Sequence, residues 1–252
     1  MRRLTAFLLV LLAAACVWSF AVARERGWWF PHGVSAFGPR IDALFELITW
    51  IAGAVLVLVF LLLAWAVGRG ARGGRAKRSH GDLRLELAWT AAPACVLAFL
   101  AYDQMDEWRE LKYAGARPAI PVTARVVASQ FDWHFVYPGA DGKLGTLDDL
   151  ESAFELCVPA GEPVVLQLVS RDVIHSFFVP ALRVKQDVVP GMRPEIWFEA
   201  REPGEYEIVC AELCGWGHYK MAGRLRVLPR AEFDARLAVL AREFHSNGEG
   251  AR

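Results

Sequence analysis

The chain of 252 residues has no net charge, because 28 Lys and Arg balance 28 Asp and Glu. Without a positive excess it has no electrostatic footprint for nucleic acid, and no such partner is expected. No segment recurs at a fixed period, so a repeat array is excluded. No Cys-x-x-Cys-His occurs anywhere, so no haem is attached covalently to this chain. Cysteine is scarce, at five residues. Cys16 and Cys95 lie in apolar runs and Cys157 in a strand-like segment, where each reads as a small buried hydrophobe. Cys210 and Cys214 are different, since they sit close together in a Gly-rich stretch with His and Met nearby.

Charge is also missing over one long stretch. Leu47 to Val67 contains no charged residue and can cross a bilayer, which takes about 20 residues. Arg69, Arg72, Arg75, Lys77, Arg78 and Arg84 follow, opposed only by Asp82, so this loop is expected on the cytoplasmic side. A second apolar run, Leu87 to Tyr102, contains Pro93, which a membrane helix tolerates. Trp28, Trp29 and Trp108 flank the two spans on the outer side, as an aromatic belt does. The first 23 residues carry Arg2 and Arg3, an apolar run from Leu4 to Val17, and Ala21-Val-Ala23. That is the order of a secretory leader with its cleavage site, and an uncleaved helix is the other reading.

From Pro118 onward the pattern changes to short β-branched or alternating runs punctuated by Pro and Gly: 122–127, 154–158, 164–169, 195–198, 205–209 and 224–228. These predict a sandwich or barrel. The expected organisation is a leader over 1–23, an external segment over 24–42, spans over 43–68 and 85–106 joined by a basic loop over 69–84, a β domain over 117–230, and a helical then disordered tail over 231–252. The fold class is therefore a hairpin of two transmembrane α-helices followed by an all-β domain on the outer side of a bacterial-type plasma membrane.

The candidate site is Cys210-Ala-Glu212-Leu-Cys214-Gly-Trp-Gly-His218-Tyr-Lys-Met221. Two thiols, an imidazole and a thioether within one loop are soft ligands suited to copper or zinc, and the thioether tilts the choice towards copper. Two thiolates can bridge two copper ions and spread one electron over both. His175, which follows a strand, is the best second imidazole. On spacing alone three readings stay open: copper, a Cys₂His₂ zinc site, and a disulfide. His32, His80, His134 and His245 are expected at the surface or in loops.

These residues resemble subunit II of haem-copper cytochrome c oxidases. Cys-x-Glu-x-Cys-x₃-His-x₂-Met is that family's signature for the dinuclear CuA centre, and the likeness extends over about 28–230. Leu85-Glu86-Leu-Ala-Trp89-Thr90-Ala-Ala-Pro93 resembles the start of the family's second helix. Asp172-Val-Ile-His175-Ser-Phe resembles its histidine segment, and Val179 to Gly191 the stretch after it.

The resemblance implies a cupredoxin-like Greek-key domain. It implies copper ligation by the side chains of His175, Cys210, Cys214, His218 and Met221 and by the carbonyl of Glu212, whose carboxylate would face a magnesium site shared with subunit I. It places Glu86 near a proton pathway and makes Asp172 and Asp187 candidates for docking cytochrome c. The implied partners are subunit I with its haem, subunit III, a separate cytochrome c-type donor and the lipid bilayer. The subunit would pass electrons without bond chemistry of its own.

The family's aromatic segment, typically Gln-Trp-Tyr-Trp, reads Gln130-Phe131-Asp132-Trp133 here, so Phe131 stands at the usual electron-uptake position, with Trp133 or another surface route as the alternative. Quinol oxidase subunits resemble this family but lack the ligands present here. Nitrous oxide reductase is a longer soluble protein with an aromatic where Glu212 stands. A membrane-anchored copper carrier would need exposed, exchangeable ligands.

Overall fold

The computed structural model describes residues 2–71, 81–113 and 117–249. The chain divides into two compact units, Met1–Trp29 with Asp42–Glu107, and Phe30–Ile41 with Trp108–Arg252.

The first unit is built from α1 (Arg2–Glu25), most of α2 (Gly38–Ala71) and α3 (Leu83–Asp103). Among the described residues three helices, not the expected two, are long and apolar enough to cross a membrane: Arg3–Glu25, Gly38–Gly70 and Leu83–Asp103. The extra one is α1, because a leader's apolar stretch and a membrane span obey the same physics. It lies against α2 through small residues: Ala6 beside Gly68, with Ala13 and Ala64 buried. Phe20 meets Trp29 and Trp50 at ring separations of 4.6 Å each, and Arg24 pairs with Glu46 at 3.0 Å.

α2 starts earlier than the hydropathy suggests, since the Ser35 hydroxyl accepts from the Gly38 N–H at 2.9 Å and caps the first turn. Asp82 caps α3 in the same way, accepting from Arg84 and Leu85. Pro93 sits inside α3 without ending it. Of the basic loop, Arg69 and Arg84 lie in the helices, whereas Arg72, Arg75, Lys77, Arg78 and also His80 lie outside the described residues.

A short amphipathic helix, α4 (Met105–Lys112), leads towards the β domain. Ten strands follow: β1 (Ala124–Ser129), β2 (Asp132–Tyr137), β3 (Leu150–Ala153), β4 (Glu155–Pro159), β5 (Pro163–Ser170), β6 (His175–Val179), β7 (Val184–Val188), β8 (Glu195–Glu199), β9 (Gly204–Cys210) and β10 (Ala222–Leu228). They form two five-stranded sheets, in orders β3-β2-β1-β5-β8 and β4-β10-β9-β6-β7. β2 shows the period-two logic most cleanly, with Trp133, Phe135 and Tyr137 buried between Asp132, His134 and Val136. In β10, Leu225 and Val227 face inward while Arg224 and Arg226 are turned out towards Glu205 and Glu155. The core between the sheets holds Leu156, Leu166, Leu168, Phe177, Leu182, Phe198 and Ile208, all fully buried.

Two segments expected outside the domain belong to it. Residues 30–41 are tied in by a Ser35–Ala200 bridge, by the Val34 N–H on the Ala181 carbonyl at 2.9 Å, and by Phe37 edge-on to Trp197 at 4.8 Å. The tail forms α5 (Arg230–Glu249), which seats Phe233 and Leu240 in the core. Residues 250–252 and the side chain of His245 lie outside the described residues.

Candidate metal centre

The ligand-bearing loop is the connection of a β-hairpin. β9 ends at Cys210, β10 begins at Ala222, and the two strands pair antiparallel. β6 lies on the other side of β9, pairing Phe177 with Cys210, so sheet order alone carries His175 to the loop. The backbone then closes the corner, with the Cys210 N–H on the Met221 carbonyl at 3.1 Å and the Ala211 N–H on the Ser176 carbonyl at 3.0 Å.

The structure brings together all the sequence-predicted ligands. The two sulfurs of Cys210 and Cys214 lie 3.8 Å apart, and both cysteines are free, so no disulfide joins them. Around Cys210 Sγ stand His175 Nδ1 at 3.9 Å and the Glu212 carbonyl at 3.2 Å. Around Cys214 Sγ stand His218 Nδ1 at 3.7 Å and Met221 Sδ at 3.8 Å. Each sulfur thus has its own imidazole nitrogen and its own weaker donor. His175, Cys210 and Cys214 form a group whose ligand atoms all lie within 4.8 Å of one another, and His218 joins it through Cys214.

Burial isolates the set from water: His175 is fully buried and Cys210, Cys214 and Met221 nearly so, with His218 half-buried. Burial, reinforced by the neighbouring Cys210, pushes the Cys214 thiol up to about 11, so a metal must displace its proton on binding.

Three residues position the ligands, in roles not read from the sequence. Asp172 Oδ1 lies 2.8 Å from His175 Nε2, which leaves Nδ1 facing the sulfurs, as in metal sites where a carboxylate orients the far ring nitrogen. Partial burial works to raise the Asp172 carboxyl, but the hydrogen bonds from His175, Gln130 N–H and Val173 N–H outweigh it and hold the group below its usual range. An Asp three residues before a ligand His was the available signal. Gln130 is the second brace, donating its side-chain N–H to the Cys214 carbonyl at 2.6 Å.

Trp133 is the third; its indole packs edge-on against His175 with ring centres 6.2 Å apart. It is fully buried. Phe131 is half-buried and lodged against the loop. A Cβ on Gly217 would lie 2.5 Å from its ring, and one on Gly215, at φ +140°, would lie 3.1 Å from it. Glycine is required at both positions for the loop to close over that ring.

The side chains of the other candidates are not among the donors around the two sulfurs. The Glu212 side chain is exposed. Asp187 accepts from Lys185 Nζ at 2.7 Å and from the Ser176 hydroxyl at 2.8 Å. Glu86 is an exposed carboxylate in the first turn of α3, in the other unit. His32 pairs with Glu202 at the surface, and His134 lies between Glu151 and Asp132.

Residues 123–227 match the family described as cytochrome c oxidase subunit II, periplasmic domain. The chain is 30% identical over 231 residues to the alternative cytochrome c oxidase subunit 2 of Bradyrhizobium diazoefficiens, covering 82% of this chain and 81% of the relative. It is 34% identical over 184 residues to cytochrome c oxidase subunit 2 of Alkalihalophilus pseudofirmus, covering 72% of this chain and 52% of that longer relative. Among solved structures, the periplasmic domain of subunit II of the Bradyrhizobium japonicum cytochrome oxidase is 30% identical, with a TM-score of 0.45, over 50% of this chain and 98% of that one.

A cupredoxin-like periplasmic domain carried by apolar helices is the class that fold and site define. This chain belongs to the cytochrome c oxidase subunit II family. It is a membrane-associated subunit of a haem-copper oxidase, an oxidoreductase complex.

Proposed function

We propose that the loop and His175 hold a dinuclear copper centre through which this subunit feeds electrons to the oxidase. The observation that carries the reading is the division of donors between two sulfurs 3.8 Å apart: His175 and the Glu212 carbonyl beside Cys210, His218 and Met221 beside Cys214. One four-coordinate zinc would draw both imidazoles to one point, whereas here each imidazole approaches a different sulfur. When bound, such a centre would supply one-electron transfer between a cytochrome c-type donor and haem in subunit I.

The chain's own part is positional. Asp172 fixes the ring of His175, Gln130 pins the Cys214 carbonyl, and Trp133 walls the buried side. A rigid, dry ligand set would hold its donors in place through a change of oxidation state. No side chain here performs bond chemistry. The Glu212 carboxylate is available for magnesium at the contact with subunit I, Glu86 for a proton route there, and Asp172 and Asp187 for a cytochrome c surface. Subunit III completes the complex.

Titration of the metal-free full-length chain with copper is expected to reach two equivalents per chain. Saturation at one equivalent, or preferential uptake of one zinc, would remove the reading.

In the mature subunit, α2 and α3 are the two spans and α1 is a leader removed after Ala23. A second reading is favoured by one specific observation, the seam of Ala6, Ala13, Ala64 and Gly68 between α1 and α2, since small residues at such seams let membrane helices approach. In that reading α1 stays as a third span. Both put the β domain on the periplasmic side. N-terminal sequencing of the purified subunit separates them: Arg24 first supports the leader, Met1 first supports the third span.

A further inference from the structure

Resting on that reading, we propose that Trp216 is the residue on which the protein donor docks and through which electrons reach the centre. The ligands themselves are sealed, with His175 fully buried and Cys210, Cys214 and Met221 each at most 8% exposed. A protein donor therefore has to approach through what covers them. The cover is the loop between β9 and β10, and its exposed large hydrophobic side chains are Leu213, Trp216 and Tyr219, at 77%, 78% and 82%.

Of these, Trp216 alone combines three properties. It lies two residues from Cys214 and two from His218, so short covalent paths lead from its backbone to ligands of both halves of the donor set. Tunnelling decays less steeply along bonds than through space. Its ring is held in place rather than free: Phe131 meets it edge-on with centres 5.7 Å apart, and the Lys220 ammonium lies 4.8 Å from its centre. Through Phe131 it continues into Gln130, whose side chain donates to the Cys214 carbonyl and whose N–H is bound by Asp172. Trp216, Phe131, Gln130 and Asp172 thus form one contiguous chain of contacts, tied to the Cys214 carbonyl through Gln130.

An indole that is largely exposed yet fixed is the kind of side chain that dominates protein–protein contacts, because it offers large apolar area at small cost in conformational entropy. The occupant has a definite chemistry: a soluble redox protein presenting the exposed edge of its cofactor within an apolar patch. Tyr219 is as exposed but has no ring partner among the described residues, and Leu213 carries no π system.

The test uses the purified oxidase complex and a soluble cytochrome c that reduces the wild-type complex. Trp216→Ala, Trp216→Phe and Tyr219→Ala are compared in three measurements: equilibrium binding of oxidised cytochrome c to the oxidised complex, the bimolecular reduction rate, and the copper electron paramagnetic resonance spectrum. Trp216→Ala is expected to weaken binding and slow bimolecular reduction by about tenfold or more each, with the copper spectrum unchanged. Trp216→Phe should recover most of the binding, and Tyr219→Ala should leave it within about twofold of wild type. Unchanged binding and rate in Trp216→Ala, or the losses appearing in Tyr219→Ala instead, would overturn the assignment. An altered copper spectrum in Trp216→Ala would also overturn it, by showing that the residue shapes the centre. Absence of a two-copper spectrum in the wild type would count against the dinuclear reading itself.

Discussion

The helical unit and the β domain spend their apolar residues in opposite ways. In the β domain Trp133, Phe135, Phe177 and Phe198 are fully buried, while in α2 and α3 Leu58, Trp65, Leu97 and Phe99 are each more than half exposed. The strongest apolar windows of α2 and α3 bury only 6% and none of their residues. The same side chains serve two solvents: lipid meets them directly, whereas water drives them inward. Only the second arrangement makes a dense, dry interior, and the ligand sulfurs use it. A soft-metal centre is placed in the unit whose packing can hold six donors to fixed positions.

The comparison breaks most visibly if the centre survives loss of a sulfur. Cys214→Ser is expected to eliminate the two-copper centre, with metal analysis falling to one copper or none per chain while far-ultraviolet circular dichroism stays unchanged. Retention of two coppers would show that the division of donors does not depend on both thiolates.

Next in size is the contrast between buried and lipid-facing tryptophans. Trp133→Ala is expected to cost about 3–5 kcal/mol of β-domain stability. Trp65→Ala, on the exposed face of α2, should change it by less than about 0.5 kcal/mol. Denaturant unfolding of the full chain in detergent, followed by near-ultraviolet circular dichroism, measures both. Equal losses would mean that the two units do not use their tryptophans differently.

The smallest effect concerns acid. The Asp187 carboxyl lies below its ordinary value of 3.8 because Lys185 and Ser176 donate hydrogen bonds to it. A depressed carboxyl stabilises the folded form above the unfolded value and loses that contribution as pH falls through the folded one. The metal-free domain should therefore weaken below about pH 4, and Asp187→Asn should flatten that limb slightly. An identical acid limb in the variant would assign the loss to other carboxylates.

Much of this was legible in the sequence, for identifiable reasons. The donor set was readable because five of its six members lie within twelve consecutive residues, and His175 because it follows a strand that could be read. The apolar runs of α2 and α3 declared themselves by lack of charge. Four strands, β2, β3, β6 and β7, were not read. β2 alternates strictly, but its aromatics read first as a functional segment. β3 and β7 mix Glu, Lys, Gln and Asp into their exposed faces, so burial on one side leaves little signal.

The docking of residues 30–41 depends on partners near 181 and 200 and has no local signature. α5 was expected only as a helical tail, because the surface that receives Phe233 and Leu240 exists only once the sheets are assembled. Gln130 and Trp216 were missed for opposite reasons. A polar brace and an exposed tryptophan each look ordinary until the loop is folded over Phe131.

The most direct test of the central claim is electron paramagnetic resonance, with metal analysis, on the isolated full-length chain loaded with copper in detergent. Two coppers per chain sharing one unpaired electron, seen as a mixed-valence signal spread over both nuclei, is the expected result. A single-copper signal, or one zinc per chain with no copper signal, would contradict it.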